Sequence, residues 1–169
     1  MRLFYICGFI ILMAGCSSEP PSQAFVGGAE QTLENFTTFT TKNGRKNWEM
    51  TAAAAKIFEK KNMVEVNKFT VDFFSQDGKT VKGRLSAGKG RIDTLKNDFY
   101  TEGKSVLKTP DNEVLKTSDL YYKAGIGMIY SDTDVILERK DAVITGKGME
   151  ATPDLSSIII KENLVELKK

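Results

Sequence analysis

The chain has 169 residues, 41% of them hydrophobic and 27% charged, and its 24 basic and 22 acidic side chains leave a net charge of +2. This length suits one domain with a sizeable core, and the small net charge lacks the basic excess of proteins that bind nucleic-acid phosphates. The sequence contains no histidine, which excludes Ser-His-Asp and Cys-His hydrolases and His-ligated zinc sites.

The first residues have the three-part form of a secretory signal. Arg2 precedes an apolar run over residues 3–13, and Ala14-Gly15 follows it. The run is shorter than the roughly 20 residues that cross a bilayer. Its end resembles a bacterial lipobox, in which Cys16 is acylated, although Met13 stands where leucine is usual. We expect a lipoprotein signal peptide over residues 1–15; an ordinary signal peptide followed by a chance cysteine is the alternative.

The segment after Cys16 is rich in Ser, Pro and Gly and shows no periodicity. This composition is typical of a flexible linker. We therefore predict a tether over residues 16–32 and one folded domain over residues 33–169. The domain contains no cysteine, so the sequence predicts neither a disulfide nor a cysteine nucleophile there.

From residue 33 onward, short β-rich segments alternate with turn signals. Residues 48–51, 64–66 and 69–73 alternate between apolar and polar side chains, as half-buried strands do. The stretch 51–61 (TAAAAKIFEKK) has helix-forming alanines, but its place between two alternating segments favours a strand. Turn residues separate the segments at Asn43-Gly44, Asp77-Gly78, Pro110-Asp111-Asn112 and Ala124-Gly125.

Self-comparison of the sequence indicates a repeat. Residues 99–107, 129–137 and 159–167 align without a gap at a spacing of 30 residues. One unit would be a pair of strands, which cannot bury its own apolar face and must stack on its neighbours. The alternative is the even strand spacing that many β proteins have.

About ten to fourteen strands without long helices predict an all-β domain, with antiparallel sheets forming a sandwich, roll or barrel. The alternating pattern also predicts which side chains face the interior. They could fill a dry core or line an apolar groove, and the pattern does not separate these alternatives. The interior candidates are Trp48, Phe69, Val71, Phe73, Leu85, Phe99, Leu115, Leu120, Ile129, Val135, Ile144, Met149 and Val165.

No catalytic constellation is found. There is no phosphate-binding GxxxxGK[ST] loop, and the GxG triplets that begin at Gly88, Gly125 and Gly146 lack a third glycine and are interpreted as turns or bulges. Asp132 and Asp134 share a strand face and are interpreted as solvated. We therefore expect a non-enzymatic protein without a metal or cofactor.

Seven segments resemble successive parts of the LptC family, the periplasmic component of the lipopolysaccharide export bridge. Each segment is a weak motif, but their order and spacing are specific, and the resemblance covers residues 33–167. The segments are residues 48–52, 73–79, 85–90, 99–106, 115–122, 131–135 and 144–149.

The resemblance implies an open, twisted antiparallel β-jellyroll with an apolar groove that shelters lipopolysaccharide acyl chains. Such a protein docks on an inner-membrane ABC transporter through its N-terminal edge and passes lipopolysaccharide to an LptA-like protein at its C-terminal edge. It implies further that Gly44 lies in the transporter-facing turn and Gly148 in the region needed for bridge assembly. The interior candidates then become groove candidates.

The expected location is the periplasmic face of the inner membrane. Many members of the family keep an uncleaved transmembrane helix, whereas here a lipid on Cys16 would provide the anchor. Ser17, directly after that cysteine, would favour sorting to the outer membrane in some bacteria. The alternative function is that of a structural lipoprotein with a dry core, whose edge strands only recruit partners.

Overall fold

The computed structural model describes residues 31–168, which form one antiparallel sheet of eleven strands. The predicted signal peptide, most of the tether and Cys16 lie outside the described residues. Within residues 31–168, no helix is long and apolar enough to cross a membrane. The strands are β1 (Gln31–Lys42), β2 (Arg45–Phe58), β3 (Met63–Phe74), β4 (Val81–Asp93), β5 (Asp98–Lys108), β6 (Val114–Thr117), β7 (Leu120–Lys123), β8 (Met128–Glu138), β9 (Ala142–Ala151), β10 (Ile158–Ile160) and β11 (Leu164–Leu167).

Most strands pair with the next strand in the chain, and the order across the sheet is β1-β2-β3-β4-β5-β6-β8-β9-β10. The short strands β6 and β7 both lie between β5 and β8, and β10 and β11 pair with different parts of β9. This meander of hairpins confirms the predicted all-β jellyroll. β1 is described from Gln31 onward, the first residue that the structure describes.

The alanine-rich segment is a strand as far as Phe58, and a single 3₁₀ turn follows at Glu59–Lys61. Ala52 lies opposite Phe69 of β3 and is buried in the core. Hydrogen bonding to β1 on one side and β3 on the other therefore overrides the helix propensity of alanine. The strand predicted for this segment is confirmed over residues 51–58.

The predicted turns occur where the sequence placed them. Between β1 and β2, Asn43 and Gly44 have φ angles of 53° and 74°. Positive φ at both central residues is typical of tight hairpin turns, which asparagine and glycine tolerate best.

The sheet rolls up, so that the inner faces of distant strands meet. Phe99 of β5 contacts the rings of Trp48, Phe73 and Tyr122, with centroid distances of 5.8, 6.0 and 4.9 Å. At a second point, Gly83 of β4 lies against Pro153 in the loop after β9. An ion pair between Lys82 and Asp154, 3.8 Å apart, lies beside this contact.

The repeat spacing has a structural counterpart. β5 and β8 have the same length, and their bounds are offset by 30 residues. Phe69, Phe99 and Ile129 are buried, with at most 2% exposure, whereas Ile159 is 63% exposed because β10 is the end strand of the sheet. The interior position expected for Val165 is wrong: it is 51% exposed, because β11 pairs only with β9 and all four of its residues are exposed.

Candidate functional site

Besides Val165, which is exposed, there are twelve groove candidates, and eleven of them lie in the core, where none is more than 3% exposed. The remaining one, Ile144 of β9, is only partly buried. The middle of the inner face is therefore filled by its own side chains. The buried candidates are Trp48, Phe69, Val71, Phe73, Leu85, Phe99, Leu115, Leu120, Ile129, Val135 and Met149.

A second group of apolar side chains packs against this core and stays partly exposed. Phe36 and Ile57 lie on β1 and β2, while Ile144, Ile158 and Ile160 lie on β9 and β10. They belong to the two ends of the strand order, where the sheet has fewer neighbours to cover it. Of these partly exposed residues, the sequence analysis identified only Ile144. Alternation indicates which residues face the interior, but it does not indicate how deeply each one is buried.

The first and last strands of the chain, β1 and β11, carry exposed apolar side chains. On β1, Leu33 and Phe39 are 37% and 57% exposed. On β11, Leu164 and Leu167 are 61% and 79% exposed. Among the described strands β1 pairs only with β2, so one side of its backbone is available to hydrogen-bond a strand of another chain.

Gly44 and Gly148, the two predicted interface residues, lie near opposite ends of the strand order. Gly44 is in the exposed β1–β2 turn. Gly148 of β9 has φ +79° and lies where the β8–β9 register shifts between Ser131 and Asp134. Its carbonyl oxygen accepts a hydrogen bond from the Lys161 N–H at 3.0 Å. Positive φ favours glycine at both positions.

A buried row of hydroxyl groups crosses the core where β6 and β7 are interrupted. Thr101 Oγ1 accepts hydrogen bonds from the Leu120 N–H at 2.8 Å and the Ser105 hydroxyl at 2.6 Å. The Thr117 hydroxyl lies 2.8 Å from that of Ser131. These side chains satisfy polar groups that would otherwise be unpaired in the core. Thr101 and Ser131 are 30 residues apart, so the repeat was the signal that could have identified them.

A cavity of about 540 Å³ lies among the β1–β2 turn, the β3–β4 turn and the β7–β8 turn. We call it the cationic cavity, because its charged lining residues are Lys42, Arg45, Lys46 and Lys82. The sequence did not reveal it, since Lys82 and the other two turns come together with the β1–β2 hairpin only in the folded chain.

The cationic cavity is connected to the core through Asn47. This lining residue donates a hydrogen bond to the Tyr122 hydroxyl at 3.3 Å. Tyr122 stacks on Phe99 in the aromatic cluster, and burial raises the pKa of its phenol. The hydroxyl therefore stays protonated and neutral at physiological pH.

The other chemistry considered from the sequence has no support in the geometry. Asp132 and Asp134 are exposed, as a solvated strand face predicts. The glycine triplets lie at register shifts in β4 and β9 and in the β7–β8 turn. No group of three or more His, Cys, Asp or Glu side chains within residues 31–168 could hold a metal ion.

Comparison with known proteins identifies a family and several similar solved structures. Residues 6–164 match the family described as "Lipopolysaccharide-assembly, LptC-related". The fold is similar to the crystal structure of LptH from Pseudomonas aeruginosa, the LptA homologous periplasmic component of the lipopolysaccharide transport device, with a TM-score of 0.54 and 10% identity. The match covers 72% of this chain and 94% of LptH. No curated protein matches the sequence significantly.

Proposed function

Because the chain belongs to the LptC-related family of lipopolysaccharide-assembly proteins, we propose that it is a lipid-binding component of the lipopolysaccharide transport bridge. It receives lipopolysaccharide from an inner-membrane ABC transporter, shelters the acyl chains against the apolar inner face of the roll, and passes the lipid to an LptA-like protein. The observation that carries this proposal is the set of partly exposed apolar side chains packed on the core at both ends of the sheet.

Acyl chains would bind an apolar protein surface tightly enough for this role. Each methylene group removed from water contributes about 0.8 kcal/mol, so a few chains supply ample binding free energy. Phe36 and Ile57 offer a first apolar contact near β1, and Ile144 and Ile158 offer another near β10. Movement between similar apolar surfaces changes the free energy little, so ATP hydrolysis by the transporter can drive the lipid in one direction.

The end strands supply the contacts to the neighbouring proteins. An exposed strand edge pairs with a strand of another chain through main-chain hydrogen bonds, and its side chains select the partner. We assign β1 and the Gly44 turn to the transporter side. The region of Gly148, β10 and β11 is assigned to the LptA-like protein. The exposed leucines of β1 and β11 would be covered in these contacts.

An acylated Cys16 would hold the roll at the periplasmic face of the inner membrane, and Ser17 is the feature that favours the outer membrane instead. A single acyl chain gives weak, reversible membrane binding, and stable anchoring takes two signals. A diacylated cysteine meets that requirement. The role needs no catalytic residue, since the lipid is moved without covalent change.

Replacing Ile144 by aspartate tests the proposal. Ile144 of β9 lies opposite the buried Leu137 of β8 on the inner face. Ile136, which precedes Leu137 on β8, lies opposite Thr145 on the outer face. A charge placed where acyl chains bind must lose its hydration, so Ile144→Asp is expected to weaken lipopolysaccharide binding by about tenfold or more. Ile136→Asp is the matched control and should bind like the unaltered chain. Both would be measured by fluorescence titration of the purified full chain.

Two outcomes would contradict the proposal. Equal affinities of the Ile144→Asp and Ile136→Asp variants for lipopolysaccharide, with circular dichroism showing both folded, would mean that the inner face does not bind the lipid. An unaltered chain that binds no lipopolysaccharide at all would favour the purely structural role, in which the edges alone recruit partners.

A further inference from the structure

All the charged residues that line the cationic cavity are positively charged. Its walls include four cationic side chains, Lys42, Arg45, Lys46 and Lys82, and no aspartate or glutamate. Its volume of about 540 Å³ falls within the range of roughly 300–1,000 Å³ that is typical of small-molecule sites. Clefts lined by one sign of charge concentrate ligands of the opposite charge.

Neighbouring acids neutralise only part of this charge. Lys46 forms an ion pair with Glu49 at 2.6 Å, and Lys82 lies 3.8 Å from Asp154. The guanidinium of Arg45 donates to the Gln76 carbonyl oxygen, which carries no net charge. Among the described residues Lys42 has no ion-pair partner within 4.0 Å. Four cations against two carboxylates therefore leave two positive charges.

A third nearby acid, Asp77 of the β3–β4 turn, stays ionised but lies outside the cavity lining. The carboxylate of Asp77 accepts hydrogen bonds from the Lys79 and Thr80 N–H groups and from the Thr80 hydroxyl. These bonds lower its pKa to about 2. Asp77 is thus engaged within its own turn and is absent from the cavity lining.

The remaining lining is amphipathic. Phe74, Ile126 and Met128 contribute apolar surface, and Asn43 and Asn47 contribute amide groups. The Lys46 ammonium lies 5.2 Å from the ring centroid of Phe74, which fixes a cation beside an apolar wall. Because Asn47 also contacts Tyr122, the cavity adjoins the aromatic core.

We propose that the cationic cavity binds the phosphorylated sugar head group of the lipid; this inference rests on the function proposed above. Arg45 and Lys42 contact phosphate oxygens, since guanidinium and ammonium groups form the strongest hydrogen bonds with such anions. The amides of Asn43 and Asn47 bond sugar hydroxyls. The lipid is then held with its head group among the three turns and its chains toward the core.

An acidic segment of a partner protein would satisfy the same charges. The concave shape and the apolar wall favour an amphiphile, because a phosphoglycolipid presents anionic, hydroxylated and apolar parts within a few ångströms of one another. The experiment below separates the two occupants.

The test uses the purified full chain and three probes: diphosphoryl lipid A, chemically dephosphorylated lipid A, and glucosamine 1-phosphate. The unaltered chain is expected to bind the diphosphoryl lipid about tenfold more tightly than the dephosphorylated one. The variant Lys42→Glu/Arg45→Glu should lose this preference and keep its affinity for the dephosphorylated lipid. Lys104→Glu/Lys140→Glu, with the same charge change at exposed residues outside the cavity, should retain it.

Each other result overturns the inference in a recognisable way. Equal binding of the two lipids by the unaltered chain refutes the head-group site and leaves acyl-chain binding intact, whereas binding of neither lipid refutes the proposed function as well. Competition by glucosamine 1-phosphate at the concentration of the lipid would make a free sugar phosphate the ligand. An unchanged lipid preference in Lys42→Glu/Arg45→Glu, with loss of a copurifying protein, would assign the cavity to an acidic partner segment.

The variant Lys42→Gln/Arg45→Gln removes the two positive charges without adding an acid. It should lose part of the preference for the diphosphoryl lipid, and less of it than Lys42→Glu/Arg45→Glu.

Discussion

Replacing Phe99 by alanine is expected to lower the free energy of unfolding by about 3–5 kcal/mol. The ring is 2% exposed and contacts Trp48, Phe73 and Tyr122, which come from three other strands. Its removal leaves a cavity where the inner faces of distant strands meet. Backbone pairing on both sides of β5 limits how far the surrounding structure can collapse into this cavity.

Urea denaturation followed by circular dichroism measures this effect, with Tyr100→Ala as the matched control. Tyr100 is the next residue of β5 and is 36% exposed on the opposite face. Its truncation should cost well under half as much. Equal costs for the two variants would contradict the packed aromatic core. A charged residue at Phe99 would unfold the domain for the same reason, so Phe99 cannot report on lipid binding.

Replacing Gly83 by alanine is expected to destabilise the domain by about 1–3 kcal/mol through overpacking. A Cβ atom at Gly83 would overlap the carbonyl oxygen of Pro153. That oxygen belongs to the backbone of the loop after β9, so a flexible side chain cannot relieve the clash. The loop must move away from β4, which also separates Lys82 from Asp154.

Gly88 of the same strand provides the control for this prediction. A Cβ atom there would meet nothing within 4 Å, and the residue has no positive φ. Gly88→Ala should therefore leave the denaturation midpoint unchanged or raise it slightly, because alanine loses less backbone entropy on folding. A Gly83→Ala variant as stable as Gly88→Ala would show that β4 and the loop do not pack as described.

Local signals were sufficient to predict the turns and several of the strands. Asn43-Gly44 and Asp77-Gly78 gave the hairpin turns, and alternation at residues 69–73 gave the inner face of β3. The ambiguous stretch 51–61 was resolved by its neighbours, because a segment between two strands of a meander is most simply a strand itself. The 30-residue spacing predicted the equivalent positions of Phe99 and Ile129.

Depth of burial was not predictable, because it depends on how the whole sheet rolls up. Ile144 and Leu137 lie directly opposite each other on one face, yet only Leu137 is fully buried. Val165 has an apolar, β-branched side chain like the core residues, but it lies on an end strand. The cationic cavity depends on three turns that meet only in the folded chain.

Site-specific photo-crosslinking in cells tests the central claim, lipid passage along the inner face, most directly. A photoreactive amino acid would be placed in turn at Phe36, Ile144 and Ile158, the partly exposed apolar positions, and at exposed Lys104 as the control. Lipopolysaccharide adducts at the three apolar positions, dependent on ATP and absent at Lys104, are the predicted result. A folded, normally expressed protein without adducts at any of these positions would contradict lipid passage.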